Sequence, residues 1–303
     1  MQIGNLSLNL DFYKGEAPYS DGDIENTMLD MARRRLSYEQ AIAENDSWPV
    51  VYHFSPVRKN LLDWYAFPAG CSVLEIGAGC GAVTGVLCEK AGRVVANELT
   101  KRRAEILANR HQDATNLEVI VGNLSDIEFN EQFDIVTLIG VLEYAKSFTD
   151  SERPYDDFLQ SIWKLVKPGG KLLVAIENRY GLKYWSGAPE DHTSKFFDSI
   201  EGYVDGGVAQ TFSRQELEDL LHANGFSDAY FYYPHPDYKM PLQIFCDDRL
   251  PSPGQIEEHV PQYDSRQQFL FREDAVWTGI VENGQYPFFA NSFLVDCRAR
   301  GEI

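Results

Sequence analysis

The chain has 303 residues, with 46 acidic and 27 basic side chains and a formal net charge of −19. Its hydrophobic fraction of 44% supplies a packed core, which excludes wholesale disorder. The acidic balance argues against nucleic acid as a partner, because affinity for phosphates depends on clustered lysine and arginine.

The ends and the cysteines of the chain indicate its compartment. Residues 1–16 contain neither a basic region nor an apolar stretch typical of a secretory signal, and no apolar run reaches the length of a membrane span. The five cysteines are scattered and lack a C-x-x-C pair, so neither a disulfide framework nor a zinc knuckle is indicated. We expect a cytoplasmic protein without membrane insertion.

The composition changes along the chain and predicts four segments. These are an N-terminal helical lid (residues 1–50), a core (51–233), an insertion or substrate-side subdomain (234–288), and a final strand and tail (289–303). Within the first two segments one helix is predicted over residues 24–45. A second begins after Ser55, a good N-cap followed by proline, and ends near residue 64.

From residue 72 onward, short aliphatic runs alternate with helical stretches. Strands are predicted over residues 72–76, 93–96, 117–121, 133–139 and 171–176, and helices over residues 82–91, 101–111 and 155–166. This alternation is typical of an α/β fold in which helices cover both faces of a mostly parallel sheet.

The C-terminal third predicts two further strands. Ser213 and Glu216 have the spacing of a capping box for a helix over residues 212–224, and a strand follows over about 229–233. Residues 234–288 are rich in proline, aspartate, glutamine and aromatics without a clear period, so we expect an insertion there. Residues 289–295 are expected to return to the sheet as its seventh strand.

The most informative segment is a buried strand that runs into Gly77, Gly79 and Gly81, with a helix directly after. Glycine permits a sharp turn and close approach of a ligand, and the helix N-terminus behind it offers free N–H groups. The spacing fits the dinucleotide fingerprint, with Glu98 as the ribose-binding acid. An NAD-dependent oxidoreductase is therefore one alternative.

The pattern Glu75-x-Gly77-x-Gly79-x-Gly81 also resembles motif I of the class I S-adenosylmethionine-dependent methyltransferases. Later segments resemble that family in the same order: Glu98 at a strand end, then residues 122–126, 133–144 and 165–174, the last reading LVKPGGKLLV. The resemblance implies a Rossmann-like fold, methyltransferase activity and S-adenosyl-L-methionine as the cofactor.

The same resemblance implies which residues bind the cofactor. In it, Glu98 accepts the ribose hydroxyls, and Asn123 contacts the adenine amine. Arg58 is expected to pair with the cofactor carboxylate or with an acceptor phosphate, since its planar fork suits either anion. The full expected set is Glu75, Gly77, Gly79, Gly81, Glu98, Asn123, Leu124, Gly140 and Arg58.

The flanking segments resemble a narrower group. Residues 19–25, 52–64, 176–185 and 187–193 are similar to bacterial methyltransferases associated with glycosyltransferases and cell-surface glycan assembly. That likeness implies a sugar or glycan acceptor and an association with glycosyltransferases. We expect a small-molecule or glycan acceptor that is methylated at oxygen, in preference to nitrogen or carbon. A non-catalytic cofactor-binding partner of a glycan-assembly enzyme is the alternative.

An acceptor hydroxyl must lose a proton, and histidine is the first candidate for a base near neutral pH. Of the six histidines, His192 follows the fifth predicted strand and stands beside Asp191. We predict His192 as the base, with a pKa near 6.5 before local shifts, and Glu177 as the second catalytic candidate.

Four further side chains are expected on the acceptor side. Tyr180, Tyr184 and Trp185 either stack on the acceptor or form the core of a lid, and His53 lines the pocket. The sequence contains no H-E-x-x-H motif, His/Cys cluster or acidic metal triad, so we expect no metal ion.

Overall fold

The structure, a computed structural model, describes residues 1–15, 20–147, 151–207, 209–256 and 268–301. Tyr19, in one of the flanking likenesses, and residues 257–267 of the predicted insertion lie outside these ranges. The chain divides into two compact units. The first comprises Met1–Ile139 and Lys164–Lys171, and the second comprises Gly140–Trp163 and Leu172–Ile303. This division follows packing and does not test the four predicted segments.

The first unit contains six complete strands and five α-helices among its described residues. The strands are β1 (Gln2–Ile3), β2 (Leu6–Asn9), β3 (Ser72–Ile76), β4 (Arg93–Glu98), β5 (Leu117–Val121) and β6 (Phe133–Ile139). The α-helices are α1 (Ile24–Arg33), α2 (Tyr38–Glu44), α3 (Trp48–Phe54), α4 (Thr84–Lys90) and α5 (Lys101–Arg110). Two 3-10 helices span Pro56–Leu61 and Leu124–Asp126.

Strands of the first unit are ordered β1-β2-β5-β4-β3-β6. All neighbouring pairs are parallel except β1 with β2, which form an antiparallel hairpin. Strand β3 is almost entirely buried because it has a strand on each side, which explains its continuous apolar sequence. The carboxyl ends of β3, β4 and β5 therefore meet at one edge of the sheet.

The N-terminal region differs from its prediction in two ways. The hairpin β1–β2 was not predicted, and β2 extends the parallel sheet beside β5. The single helix predicted over residues 24–45 is wrong, because two helices, α1 and α2, form in this range. The helical backbone is interrupted between them, where Arg35 adopts a φ of +57°. Helices α1 to α3 pack on the core through one buried cluster that includes Met28, Phe54 and Ile106.

The second unit contains the end of β7 (Val166–Glu177), a strand that begins in the first unit. Its other strands are β8 (Phe226–His235), β9 (Gln243–Cys246) and β10 (Ser292–Ala299). Its α-helices are α6 (Pro154–Trp163), α7 (Leu182–Trp185), α8 (Asp198–Glu201), α9 (Arg214–Ala223), α10 (Glu273–Glu282) and α11 (Tyr286–Phe289). A 3-10 helix spans Leu142–Ser147.

In the second unit the strands follow the order β7-β10-β8-β9. Strand β8 pairs antiparallel with β10 on one side and with β9 on the other. Tyr233, Trp277, Tyr286 and Phe293 fill its core with interlocking aromatic rings. The capping box predicted at Ser213 and Glu216 is confirmed at the start of α9.

All seven predicted strands are present, but the predicted count of seven is wrong. The described residues contain ten strands, because β1 and β2 precede the core and β9 lies within the predicted insertion. The α/β class and the large, mostly parallel sheet of the first unit agree with the sequence analysis. Among the described residues, no helix combines the length and hydropathy needed to cross a membrane.

Candidate functional site

The glycine turn after β3 has the backbone that its sequence requires. Gly77, Gly79 and Gly81 have φ values of +69°, +55° and +76°, a region that side chains other than glycine rarely adopt. A Cβ atom built on Gly79 meets no heavy atom of the described residues within 4 Å, whereas one on Gly81 would lie 2.9 Å from the Leu107 side chain. Gly79 therefore borders space that a ligand can fill, and Gly81 permits close packing.

Polar groups at the end of α5 hold this turn in place. The Arg110 guanidinium donates to the carbonyl of Cys80, and Nε2 of His111 lies 2.8 Å from the carbonyl of Gly81. Burial lowers the pKa of His111 to about 4, so its ring is neutral at pH 7. The sequence analysis did not predict this support.

Glu98 joins the end of β4 to the same turn. Its Oε2 accepts a 2.9 Å hydrogen bond from the Gly79 N–H, and its Oε1 accepts from the N–H and the hydroxyl of Thr100. The side chain is 4% exposed. The structure thus brings Glu98 and Gly79 together, as predicted, and a carboxylate has lone pairs left for further donors.

Glu75 stabilises the connection from β3 to α4. Its buried carboxyl accepts a 2.7 Å hydrogen bond from the hydroxyl of Thr84. Burial raises the pKa of Glu75 to about 8, although the Thr84 hydroxyl bond works in the opposite direction. Glu75 is therefore mostly protonated at neutral pH.

Asn123 and Leu124 follow β5 at the same sheet edge, since Glu98 pairs with Val121 in the register of β4 and β5. The Asn123 side chain caps the short 3-10 helix by accepting from the N–H of Ser125 at 3.1 Å. Both residues are half-buried. The sheet thus places Asn123 two residues beyond the strand position opposite Glu98.

Arg58 and His53 are also buried in the first unit. The guanidinium of Arg58 lies 4.2 Å from the centre of the Tyr52 ring, a cation–π contact. Nε2 of His53 lies 3.0 Å from Asp21, which pairs at 2.8 Å with Arg103. Burial lowers the pKa of His53. The structure therefore places His53 in a polar network with Asp21 and Arg103.

A second group of functional side chains lies in the second unit. Glu143 comes from the 3-10 helix after β6, Glu177 from the end of β7, and His192 from the loop after α7. One donor atom from each lies within 4.8 Å of the other two, and all three side chains are buried. The structure thus brings together the two predicted catalytic residues and adds Glu143.

Glu190 fixes the loop that carries His192. Its Oε2 accepts from the N–H groups of His192 and Thr193 at 2.7 Å, and its Oε1 lies 2.9 Å from Nδ1 of His192. Nε2 of the ring consequently turns towards Glu143, 3.8 Å away. Sequence reasoning missed Glu190 because it considered only Asp191 as a partner of the imidazole.

Electrostatics change the role expected of His192. Burial disfavours the imidazolium, but the hydrogen bond to Glu190 and the nearby carboxylates of Glu143 and Glu177 raise the pKa of His192 well above its ordinary value. The local shift from the expected starting value near 6.5 is therefore upward. These carboxylates hold the ring in its charged form at neutral pH, in which it cannot accept a proton.

Two lysines balance part of the negative charge. Lys239 Nζ lies 2.9 Å from Glu177 and 3.0 Å from Asp191, and Lys183 Nζ lies 2.6 Å from Asp191. Burial opposes ionisation of Asp191, but these ammonium groups lower its pKa well below the usual range. Asp191 thus pairs with lysines instead of the neighbouring imidazole.

Gly140 belongs to this second unit, where it turns the chain after β6 with a φ of +69°. A Cβ atom on Gly140 would lie 2.9 Å from the hydroxyl of Tyr238, which donates at 3.3 Å to Glu177. The glycine therefore leaves room for the tyrosine that contacts Glu177, a packing role that sequence reasoning did not separate from cofactor binding.

The three predicted acceptor-side aromatics take different positions. Tyr184 is fully buried and donates its hydroxyl to Asp191, so its ring is packed in the interior. Tyr180 stacks on Phe288, with ring centres 5.2 Å apart. Trp185 is 38% exposed and donates its ring N–H to the carbonyl of Tyr180. Of these three aromatics Trp185 is the exposed one, and the half-buried Tyr180 ring also has the Arg179 guanidinium 5.1 Å from its centre.

Comparison with known sequences gives one domain match. Residues 74–174 match a family model described as a methyltransferase domain. The chain is 26% identical over 133 residues to a ubiquinone biosynthesis O-methyltransferase of Pseudomonas putida and, over the same length, to one of Stutzerimonas stutzeri. These alignments cover 43% of this chain and 54% of each relative, so the chain spans about half the length of the curated relatives it matches.

Solved structures show weaker likenesses. A possible histamine N-methyltransferase of Thermotoga maritima is 17% identical with a TM-score of 0.48, covering 90% of this chain and 99% of that one. Phosphoethanolamine N-methyltransferase 2 of Haemonchus contortus, solved with S-adenosyl-L-methionine, is 18% identical with a TM-score of 0.47. It covers 80% of this chain and 52% of that one.

Proposed function

We propose that this protein methylates a small molecule or glycan at oxygen, with S-adenosyl-L-methionine as the cofactor, since residues 74–174 match a methyltransferase domain. When bound, the cofactor supplies an electrophilic methyl group on a sulfonium. Methylation of a hydroxyl would also require its proton to pass to a base, and Glu177 is the candidate that remains because His192 is held in its charged form.

The observation that carries the cofactor assignment is the space at Gly79. A left-handed glycine whose missing side chain faces open space, beside a buried acid at a strand end, fits a ligand that has hydroxyl groups to donate. We assign Gly77 and Gly79 to the backbone cradle, Glu98 to the ribose hydroxyls, and Asn123 with Leu124 to the adenine.

Acceptor activation is assigned to the second unit. Glu143, Glu177 and His192 are three buried ionisable groups with donor atoms within 4.8 Å of one another, an arrangement typical of functional sites. Tyr180 and Trp185 are the aromatic faces offered to a sugar or an aromatic acceptor. The names of the curated relatives favour oxygen as the methylated atom.

The partner proposals rest on the flanking segments. Their likeness to methyltransferases of glycan assembly supports a glycan acceptor and an association with glycosyltransferases. A non-catalytic, cofactor-binding partner of such an enzyme is the second candidate. The pairing of two buried glutamates with His192 favours catalysis over that candidate, because a purely structural partner has no need of a buried ionisable cluster.

Calorimetric titration of the purified chain with S-adenosylhomocysteine, and separately with NAD, tests the cofactor assignment. We expect micromolar affinity for S-adenosylhomocysteine and no measurable affinity for NAD. Binding of NAD without binding of S-adenosylhomocysteine would make the chain an oxidoreductase and contradict the proposal. Methylation of a glycan acceptor mixture by the same preparation separates the enzyme from the non-catalytic partner.

A further inference from the structure

We propose that Glu143, Glu177 and His192 of the second unit form a binding site for one divalent metal ion. Each residue offers one donor atom, and the three atoms lie within 4.8 Å of one another. Ligand–ion distances of about 2.1–2.4 Å place ligands on opposite sides of one ion roughly 4.2–4.8 Å apart. A single ion can therefore contact all three side chains with small rotations.

Two buried oxygen atoms are available to bind a cation. Glu143 Oε2 and Glu177 Oε2 are inaccessible to solvent and make no hydrogen bond to any residue that the structure describes. Lys239 and Tyr238 both contact Oε1 of Glu177, which leaves its Oε2 without a donor. A buried carboxylate oxygen without a partner is costly, and a metal ion is one of the groups that satisfies it.

The orientation of His192 is the second, independent observation. Glu190 lies 2.9 Å from Nδ1, which leaves Nε2 directed towards Glu143. A carboxylate behind the far nitrogen is the usual outer partner of a metal-bound histidine, because it fixes the ring and the tautomer. Metal binding then replaces the proton on Nε2.

The charges around the site also favour a cation. Five buried or nearly buried carboxyl groups lie among three basic side chains, so acidic groups outnumber basic ones by two. The carboxylates are Glu143, Glu177, Glu190, Asp191 and Asp237, and the cations are Lys183, Lys239 and His192. The ammonium group of Lys239 offsets negative charge at Glu177, so we expect moderate rather than very tight metal affinity.

The donor set indicates the kind of ion. Two carboxylates and one imidazole, without a thiolate, suit Mn²⁺ and related oxygen- and nitrogen-preferring ions. Sequence analysis expected no metal ion because it searched for contiguous motifs, and these ligands come from three separate segments. Such an ion would acidify a bound acceptor hydroxyl, so the inference extends the proposed function at the same cluster.

The test is calorimetric titration of the chelator-treated, desalted full chain with MnCl₂. We expect one Mn²⁺ per chain with a Kd of about 1–100 µM. Glu143→Gln and Glu177→Gln should each weaken binding by at least about tenfold. Glu273→Gln is the matched control, because Glu273 is a buried glutamate of the same unit that bonds to Ser186, and it should leave Mn²⁺ affinity unchanged.

A measurement on the unmodified chain does not depend on whether the variants fold. Pulsed electron paramagnetic resonance of bound Mn²⁺ should show coupling to a histidine nitrogen, and His192→Asn should remove it. Absence of Mn²⁺ binding up to about 1 mM, or bound Mn²⁺ without nitrogen coupling, overturns the metal site. S-adenosylhomocysteine affinity is measured on the same samples, so failure of the metal site and failure of the cofactor assignment are distinguishable.

Discussion

Single residues of the glycine turn have separate roles, although the sequence presents them as one motif. Gly79 faces open space, Gly81 packs against α5, and Glu98 accepts the Gly79 N–H. The spacing of the glycines was visible in the sequence because it lies within nine consecutive residues. Which glycine borders a ligand depends on the surroundings of each Cβ position, and only the structure supplies these.

Replacing Gly79 with valine is predicted to abolish binding of S-adenosylhomocysteine. The side chain would enter the ligand space and would require a φ of +55°, which valine rarely adopts. Gly284→Val is the matched control, since Gly284 also has a positive φ of +68° and no heavy atom near its Cβ position. The control should lose stability and keep cofactor affinity. Equal affinity of both variants would contradict the assignment of Gly79.

Glu75 is predicted to make stability depend on pH. Its pKa is raised by burial to about 8 in the folded chain, above its ordinary value of 4.5. The unfolded chain therefore releases the proton first, and folding stability falls as pH rises from 4.5 to 8. Glu75→Gln, which keeps an acceptor for Thr84, should be more stable than wild type by roughly 2–4 kcal/mol at pH 8 and by much less at pH 5. Urea unfolding at both pH values measures this, and a difference independent of pH would refute the buried, protonated carboxyl.

At the scale of elements, the core strands were predictable and the N-terminal hairpin was not. Strands β3 to β6 could be predicted because each contains a run of aliphatic residues, which the structure buries. Strand β2 alternates Leu6 and Leu8 with polar residues over only four positions, too short a signal to separate from a loop. The interruption between α1 and α2 was not predicted because residues 34–37 contain no glycine or proline, although Arg35 has a positive φ.

His111, at the end of α5, supports the glycine turn through the carbonyl of Gly81. His111→Ala removes the hydrogen bond to the Gly81 carbonyl and the ring against which Gly81 packs. The lost hydrogen bond should destabilise the observed conformation of the turn by about 1 kcal/mol. This change should weaken S-adenosylhomocysteine binding roughly three- to tenfold. His222→Ala, at an exposed position near the end of α9, is the control and should bind as wild type does. Calorimetry on both variants decides, and unchanged affinity in His111→Ala would remove α5 from the site.

The two groups of candidate site residues, one in each unit, differ in how far the sequence reveals them. The glycine turn, Glu98 and Asn123 follow successive parallel strands, whose ends must meet at one edge, so their order along the chain predicts a cofactor site. Glu143, Glu177, His192 and Lys239 come from distant segments of the second unit. Their convergence depends on tertiary packing, which no local pattern encodes.

The central claim is that S-adenosylmethionine binds at the turn that follows β3. Amide hydrogen exchange of the full chain, with and without saturating S-adenosylhomocysteine, locates the bound ligand directly. We predict slower exchange in the peptides that contain Gly77 to Gly81, Glu98 to Thr100, and Asn123 to Ser125. Saturating S-adenosylhomocysteine that leaves exchange at these three segments unchanged would contradict the claim.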